Sequence, residues 1–193
     1  MNDNEPQLPG INFDQHIMQI RTAVQQDEND IKRVYMSAFA ESERTVVSEL
    51  ALNLLSEQAA APVISLVAET AGTVIGHAAF SPIRIDGEDT FKGYILAPLA
   101  IMPAHQRNRA GSSLVESGIH ILREMQVDAV FVYGDPAYYA RFGFNADAAK
   151  PYIPPHRLQY PVGWQGLILG GRGDRKSPVT LVCVESLDDP ILW

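Results

Sequence analysis

The sequence predicts one α/β domain built on a mixed sheet, and three observations support this prediction. Hydrophobic periodicity switches between strand-like and helix-like runs in the order βααβββαβαββ, which is typical of a layered α/β domain. The 193 residues, of which 46% are hydrophobic and 20% charged, are enough to bury one core. The single cysteine, Cys183, excludes an intrachain disulfide and a cysteine-based zinc site.

The first part of the chain predicts an arm, one strand and two helices. Residues 1–16 are polar with two prolines, which favours a loose N-terminal arm, or one that packs late, before a domain spanning 17–193. Ile17–Val24 is the first predicted strand. Apolar residues then recur twice at helical spacing. They are Ile31, Val34, Tyr35, Ala38 and Phe39 in the first helix, and Val46, Val47, Leu50, Ala51, Leu54 and Leu55 in the second.

The middle of the chain predicts a hairpin followed by an irregular strand. Val63–Glu69 and Val74–Ile85 are joined by a turn containing Gly72, a pattern typical of a hairpin. Phe91–Met102 predicts the next strand, but Pro98 lies inside it. Because proline cannot donate to a strand ladder, we expect a bulge or a splayed edge at that point.

The last third of the chain predicts shorter elements separated by an irregular segment. Residues 145–163 are rich in proline and predict no regular structure. Two closing strands are expected on either side of a glycine- and charge-rich turn. The predicted elements are a helix over Arg109–Met125, a strand over Ala129–Tyr133, a short helix over Ala137–Phe142, and the closing strands Trp164–Leu169 and Val179–Leu187.

Composition and charge exclude several classes of protein. The net charge of −8 argues against a general nucleic-acid-binding protein, which needs a basic face to displace phosphate counterions. No apolar run reaches about 18 residues, so no transmembrane helix and no membrane partner are expected. The first ten residues lack the basic and apolar regions of a signal peptide. The expectation is a cytoplasmic protein.

One stretch departs from this acidic average. Thr90–Val115 contains no Asp or Glu, and His105, Arg107 and Arg109 crowd the predicted start of the third helix. Cations are locally unfavourable there, and a sequence that breaks a local rule often does so for function. A loop that enters a helix N-terminus is a ready anion site, so a polyphosphate is one interpretation. The other is that these side chains simply point to solvent.

Two segments resemble the GCN5-related N-acetyltransferase (GNAT) superfamily. LAPLAIMPAHQRNRAGS at 96–112 is similar to its acetyl-CoA-binding segment. GDPAYYARFGF at 134–144 resembles its second signature, in the form typical of the YhbS-like branch of predicted acetyltransferases. The resemblance covers roughly 17–144. It implies a GNAT-like fold, in which a mixed, mostly antiparallel central sheet is flanked by helices and splayed near the cofactor.

The resemblance also implies direct transfer of an acetyl group from acetyl-CoA to a primary amine of a small molecule or peptide. In the family pattern Gln/Arg-x-x-Gly-x-Gly/Ala, Gln106 and Gly111 match, but Arg109 replaces the central glycine. That arginine either crowds the pyrophosphate and weakens CoA binding, or folds outward and adds a cation. The candidate cofactor-binding residues are Leu99, Ile101, Gln106, Arg107, Asn108, Arg109, Ala110, Gly111, Ser112 and Asp135.

Two residues are candidates for proton transfer. By resemblance, Tyr139 stands where the family places its general acid, although it could instead be an aromatic packed in a short helix. Glu43 is the candidate base, because an alkylamine with a pKa near ~10 is mostly protonated at neutral pH. The alternative for Glu43 is a solvated glutamate at a helix start. His77 is expected to be structural, and no metal site is expected.

A second class of function remains open at this point. Arg109 in the glycine position is also compatible with a degenerate GNAT-fold protein that acts as a CoA or ligand sensor, or as an interaction module, without catalysis. A homodimer is a further expectation, since an edge strand and an exposed Trp193 tail could pair between two copies.

Overall fold

A computed structural model describes residues 17–193, and the predicted arm over 1–16 lies outside the described residues. Short 3-10 turns connect several of the elements. The helices and strands are β1 Gln19–Thr22, α1 Glu28–Ala38, α2 Arg44–Ser56, β2 Ile64–Thr70, β3 Thr73–Ile85, β4 Glu88–Ile101, α3 Ala110–Glu124, β5 Ala129–Tyr133, α4 Pro136–Tyr139, α5 Ala146–Ala149, β6 Tyr152–Ile153, β7 Trp164–Ile168 and β8 Val179–Val182.

The strands form one mixed sheet in the order β1-β2-β3-β4-β5-β7. Neighbours along this path are antiparallel except β4 and β5, which run parallel because α3 connects them as a crossover. β8 extends the sheet by pairing with the end of β3 and with β6. The predicted mixed, mostly antiparallel sheet is confirmed.

Alternating side chains along the strands pack on the two faces of the sheet. Leu66, Ala78 and Leu96 share one buried cluster with Leu114 and other α3 residues. Their sequence neighbours point to the other face and pack there on α1, α2 and the 145–193 segment. α3 lies close to the sheet at Gly118, where an added Cβ would clash with the ring of Phe80. The result is a central sheet covered by helices on both faces, as predicted.

The irregularity predicted at Pro98 is a bulge that opens the sheet. Ala78 pairs with Leu99 and Phe80 pairs with Leu96, so Ala97 and Pro98 together face a single β3 residue. The Ala97–Pro98 peptide bond is cis. On the other side, β4 and β5 pair only as far as Leu96 and Val132. Beyond that pair β4 continues to Ile101, so its edge faces an open gap.

Two expectations for the 145–193 segment are wrong, and its last strand has a distant partner. β8 pairs with Arg84 and Ile85 on β3 and not with β7. Part of the segment taken as irregular is regular, since the Asn145 side chain caps α5 by accepting from the Ala148 N–H at 2.9 Å. Trp193 is not an exposed tail: it is 6% exposed, and its indole N–H donates to the Leu187 carbonyl at 3.0 Å.

His77 has the structural role expected of it. Its side chain is completely buried between Tyr35 of α1 and Ser65 of β2, and each hydroxyl lies 2.8 Å from one ring nitrogen. Burial lowers the pKa of His77 from 6.5 to about 3, so the ring is neutral. Among residues 17–193, no helix has the length and apolar character needed to cross a membrane.

Candidate functional site

The start of α3 opens into a cavity of about 590 Å³, which we call the α3 cavity. The backbone N–H groups of Ala110, Gly111 and Ser112 have no acceptor within the helix, because its first bond runs from the Ser113 N–H to the Arg109 carbonyl at 2.9 Å. Free N–H groups at a positive helix end favour an anion. The cavity is lined by Leu99, Ala100, Ile101, His105, Gln106, Arg107, Arg109, Ala110, Gly111, Ser112, Tyr138 and Arg141.

Positive charge dominates the α3 cavity. Arg107, Arg109 and Arg141 line it, and no carboxylate among the described residues does. Neither Arg107 nor Arg109 forms an ion pair within residues 17–193. The arrangement can therefore hold a polyanion by charge and by backbone donors together.

The backbone conformation at Arg109 is one that favours glycine. Its φ of 64° and ψ of 0° are left-handed, a conformation that costs an L-residue with a side chain roughly 1 kcal/mol and glycine almost nothing. Arg107 is also left-handed, with φ of 63°. Arg109 is exposed and lines the cavity.

Sequence reasoning missed Arg141 as a residue of this cavity. Its guanidinium carbon lies 3.9 Å from the centroid of the Tyr138 ring, and its Nε donates to the Tyr138 carbonyl at 2.9 Å. Tyr138 in turn approaches the start of α3, where a Cβ added to Gly111 would lie 2.6 Å from its hydroxyl. The sequence signal that could have identified Arg141 was its spacing of three residues from Tyr138, which places both residues on one side of a short helix.

The free edge of β4 forms a wall of the same cavity. Met102 donates to the Ile75 carbonyl at 2.8 Å, so along β4 the alternate residues Leu99 and Ile101 direct their N–H and C=O groups away from β3. Gln106 was expected to contact the ligand directly, but its side chain bonds to the protein's own backbone. Its Nε2 donates to the Ile101 carbonyl at 3.1 Å and thereby holds the loop against β4.

A second cavity of about 470 Å³ lies between β4 and α2, and we call it the β4–α2 cavity. Leu99 borders both cavities, so the two meet at the bulge of β4. The structure brings Tyr139 and Glu43 together on this second cavity, although they are far apart in sequence. Its lining residues are Phe39, Ser42, Glu43, Val46, Val47, Leu50, Leu96, Ala97, Pro98, Leu99, Tyr133, Tyr139, Ile191 and Leu192.

Tyr139 is held in place by close packing. Its ring fits against Gly134, where a Cβ would lie 2.7 Å away, and makes edge contacts with Tyr138 and Phe144 at centroid distances of 4.9 and 5.9 Å. Burial raises the pKa of Tyr139 well above its usual value of 10, and the neighbouring Tyr138 and Asp135 act in the same direction. The phenol is therefore protonated at neutral pH. Its hydroxyl makes no hydrogen bond within the described part of the chain.

Glu43 lies across the β4–α2 cavity at the start of α2. It is the residue before the first helical turn, it is exposed, and its side chain does not cap the helix. No cation within residues 17–193 pairs with it. A carboxylate without a partner, on the wall of the cavity that also contains a buried phenol, can exchange protons with a bound amine.

Two of the predicted cofactor-binding residues are placed apart from the rest. Asp135 caps α4, because its Oδ1 accepts from the Ala137 N–H at 2.9 Å, and it lines a neighbouring cavity with Tyr160 and Trp193. Asn108 is not among the residues that line the α3 cavity. Among the described residues, no group of three or more His, Cys, Asp or Glu side chains converges as metal ligands would.

Comparison with known sequences finds the same segments. The model of the acetyltransferase (GNAT) family matches residues 28–144, which include both signature segments. The uncharacterized N-acetyltransferase YjhQ of Escherichia coli K12 is 37% identical over 134 residues, which are 68% of this chain and 72% of YjhQ. The uncharacterized N-acetyltransferase YhbS of the same strain is 42% identical over 77 residues, which are 40% of this chain and 46% of YhbS.

Solved structures agree with these matches. A GNAT family acetyltransferase from Brucella melitensis, solved in complex with acetyl-CoA, is 30% identical with a TM-score of 0.69, over 90% of this chain and 99% of that one. YhbS from Escherichia coli, solved in complex with CoA, is 27% identical with a TM-score of 0.73, over 89% and 92% of the two chains. Both alignments extend well beyond the segment that the family model matches.

Proposed function

The chain belongs to the acetyltransferase (GNAT) family, and from this premise we propose that it transfers the acetyl group of acetyl-CoA to a primary amine by direct attack. The proposal rests on one observation above all: the α3 cavity and the β4–α2 cavity meet at Leu99. One cavity has the charges and backbone donors for a pyrophosphate, and the other has two groups suited to proton transfer. A donor held in the first and lying along β4 would present its thioester to the second.

The residues of the α3 cavity fit the chemistry of CoA. The N–H groups at the start of α3 and the guanidinium groups of Arg107, Arg109 and Arg141 would bind the phosphates. The free N–H groups of Leu99 and Ile101 would bind the pantetheine arm and the thioester oxygen, where negative charge develops during transfer. Two similar structures hold CoA or acetyl-CoA, which supports this assignment.

The proposed reaction needs three proton transfers, two from the amine nitrogen and one to the thiolate. The amine nitrogen forms a bond to the thioester carbonyl carbon as the carbon–sulfur bond breaks. Tyr139 donates its proton to the departing thiolate, and its raised pKa ensures that it enters the reaction protonated. Glu43 accepts one proton of the ammonium through water before the attack, and water accepts the second nitrogen proton as the amide forms. The products are an N-acetylated amine and CoA. Tyr139 then recovers a proton from solvent and Glu43 releases one to it, so one proton is released per turnover.

Calorimetry with CoA, followed by a thiol-release assay with acetyl-CoA and an amine panel, tests this function. We expect a dissociation constant in the micromolar range, roughly 1–100 μM, together with CoA release that depends on the amine. Absence of heat up to millimolar CoA would contradict the assignment of the α3 cavity. Binding without turnover on any amine would contradict catalysis.

The alternative is a GNAT-fold protein that senses CoA or another ligand without catalysis, and Arg109 is the observation that favours it. Arg109→Gly distinguishes the two uses of this arginine. If the side chain contacts phosphate, CoA binding weakens by about tenfold, whereas it tightens if the side chain obstructs the loop. We expect weaker binding, because the side chain is exposed at the cavity wall.

A backbone control separates charge from strain. Ala71 has a left-handed φ of 49° in the exposed turn between β2 and β3. Both Ala71→Gly and Arg109→Gly should raise the melting temperature, because glycine adopts the left-handed conformation without strain. Only Arg109→Gly should change CoA affinity. Arg109→Asn, which tolerates this conformation without the charge, should bind CoA as weakly as Arg109→Gly.

A further inference from the structure

The β4–α2 cavity has an unusual distribution of charge. Glu43 is the only charged side chain among the described residues that line it. Aliphatic and aromatic groups make most of the wall, with Val46, Val47 and Leu50 on α2 and Ile191 and Leu192 in the 3-10 turn at Pro190–Leu192. The other polar side chains of the wall are the hydroxyls of Ser42, Tyr133 and Tyr139, and the Tyr133 oxygen accepts from the Tyr160 N–H at 2.7 Å.

This wall discriminates between classes of amine. An amino acid would bring a carboxylate into a cavity with no lining Lys, Arg or His to pair with it. A polyamine would bring a second ammonium, but Glu43 is the single carboxylate there. An amino sugar would place many hydroxyl groups against apolar side chains. Each of these substrates would bring more charged or polar groups than Glu43 and three hydroxyl groups can pair, so some would lose their hydration without a partner.

We propose that the acceptor is a monoamine carried on an apolar body, such as an arylalkylamine or an alkylamine. This inference rests on the proposed function and names the substrate class of the same site. The ammonium faces Glu43 beside Tyr139, and the apolar body packs against Val46, Leu50 and the segment containing Ile191. Each further buried methylene should strengthen binding by roughly fourfold until the wall is filled.

Two apolar residues of the wall come from a part of the chain that the family model does not match. Ile191 and Leu192 follow the matched segment by more than forty residues and return to the site through the 3-10 turn at Pro190–Leu192. Ile191 is 70% exposed, so it forms the mouth of the cavity and its substitution leaves the core intact. This residue is where specificity can be changed without disturbing the fold.

Matched amines test the proposal through kcat/KM at saturating acetyl-CoA. Phenethylamine and phenylalanine differ by one carboxylate, and hexylamine and hexamethylenediamine differ by one ammonium. We expect the monoamine to be preferred at least about tenfold in each pair. Equal or faster turnover of phenylalanine or of the diamine overturns the inference and leaves acetyl transfer standing. If neither these four amines nor spermidine is acetylated, both the substrate class and the proposed acetyl transfer are overturned.

A charge added at the cavity mouth gives a second, independent test. Ile191→Asp supplies a carboxylate for a distal ammonium, so the preference for hexylamine over hexamethylenediamine should fall by about tenfold. Ile17→Asp is the matched control, because Ile17 is 76% exposed and does not line this cavity. A ratio that changes equally in both variants, or in neither, would contradict the placement of the apolar body beside Ile191.

Discussion

At the scale of single residues, Tyr139 is the side chain on which the proposed chemistry depends most. Tyr139→Phe keeps the packing on Gly134 and Phe144 and removes only the hydroxyl. We expect kcat to fall by about 100-fold while KM for acetyl-CoA changes less than about threefold, because the lost interaction is made only in the transition state. Steady-state kinetics with both substrates measures the two constants. An unchanged kcat would eliminate Tyr139 as the acid.

Another buried phenol provides the control for this substitution. The Tyr94 hydroxyl donates to the Pro62 carbonyl at 2.9 Å and lies outside both cavities of the site. Tyr94→Phe should therefore lower the free energy of unfolding by about 1 kcal/mol and leave kcat unchanged. A similar loss of kcat in both variants would show that lower stability, and not a missing proton donor, explains the effect.

Residue types at motif positions were predictable, but side-chain directions were not. Eight of the ten candidate cofactor-binding residues line the α3 cavity, since the motif fixes a loop and a helix start. The motif does not fix where a flexible side chain bonds. Gln106 therefore holds the loop to β4, Asp135 caps α4, and Arg141 enters the cavity by stacking on Tyr138.

At the scale of elements, the sequence predicted where strands and helices lie better than it predicted how they pair. The bulge at Pro98 was predictable, because the missing proline N–H is a local property. The partner of β8 was not, because periodicity reports which face of a strand is buried and says nothing of its neighbour. α5 was missed because four residues are too few for a periodic signal, and its cap at Asn145 defines it.

His77 joins α1 to the sheet and makes stability depend on pH. In the folded protein its pKa is about 3, against 6.5 for an unperturbed histidine. Between these values the unfolded chain binds more protons, so stability falls as pH decreases from 6.5 toward 3. The slope should approach about 1.4 kcal/mol per pH unit. Urea unfolding at several pH values measures it.

The comparison with His77→Gln isolates this contribution. The variant should be less stable at neutral pH, because glutamine cannot satisfy both the Tyr35 and Ser65 hydroxyls, but its stability should fall less steeply toward acid. His120→Gln, on the exposed face of α3, controls for replacing a histidine as such. If the free energy of unfolding depends on pH in the same way for wild type and His77→Gln, then His77 accepts a proton in the folded protein, and this prediction is wrong.

At the scale of the whole molecule, long-range contacts of the 145–193 segment bring its residues to the candidate site. β7 pairs with β5 and β8 pairs with β3. Ile191 and Leu192 line the cavity that contains Tyr139. These contacts link residues far apart in sequence and have no local pattern, so they could not be predicted. The acid-free stretch at 90–115, in contrast, was visible in the sequence, because a local positive region stands out against a net charge of −8.

Trp193 connects this segment to the core, and its replacement should separate stability, donor binding and acceptor binding. Its ring packs on Trp164 and His156 at centroid distances of 6.1 and 6.2 Å, and its carbonyl accepts from the Gln159 N–H at 3.2 Å. Trp193→Ala should cost about 3 kcal/mol of folding free energy, while Trp193→Phe, which loses mainly the bond to Leu187, should cost about 1 kcal/mol.

The functional effect of Trp193→Ala should fall on the amine and spare CoA. Loss of the indole frees Ile191 and Leu192 from their place in the cavity wall, so KM for a hydrophobic monoamine should rise by about tenfold. The α3 cavity is built from β4, α3 and α4, so the dissociation constant of CoA should stay within about twofold, measured by calorimetry well below the melting temperature. If CoA affinity falls as much as amine affinity, the two cavities are coupled through the core, and the 145–193 segment supports both.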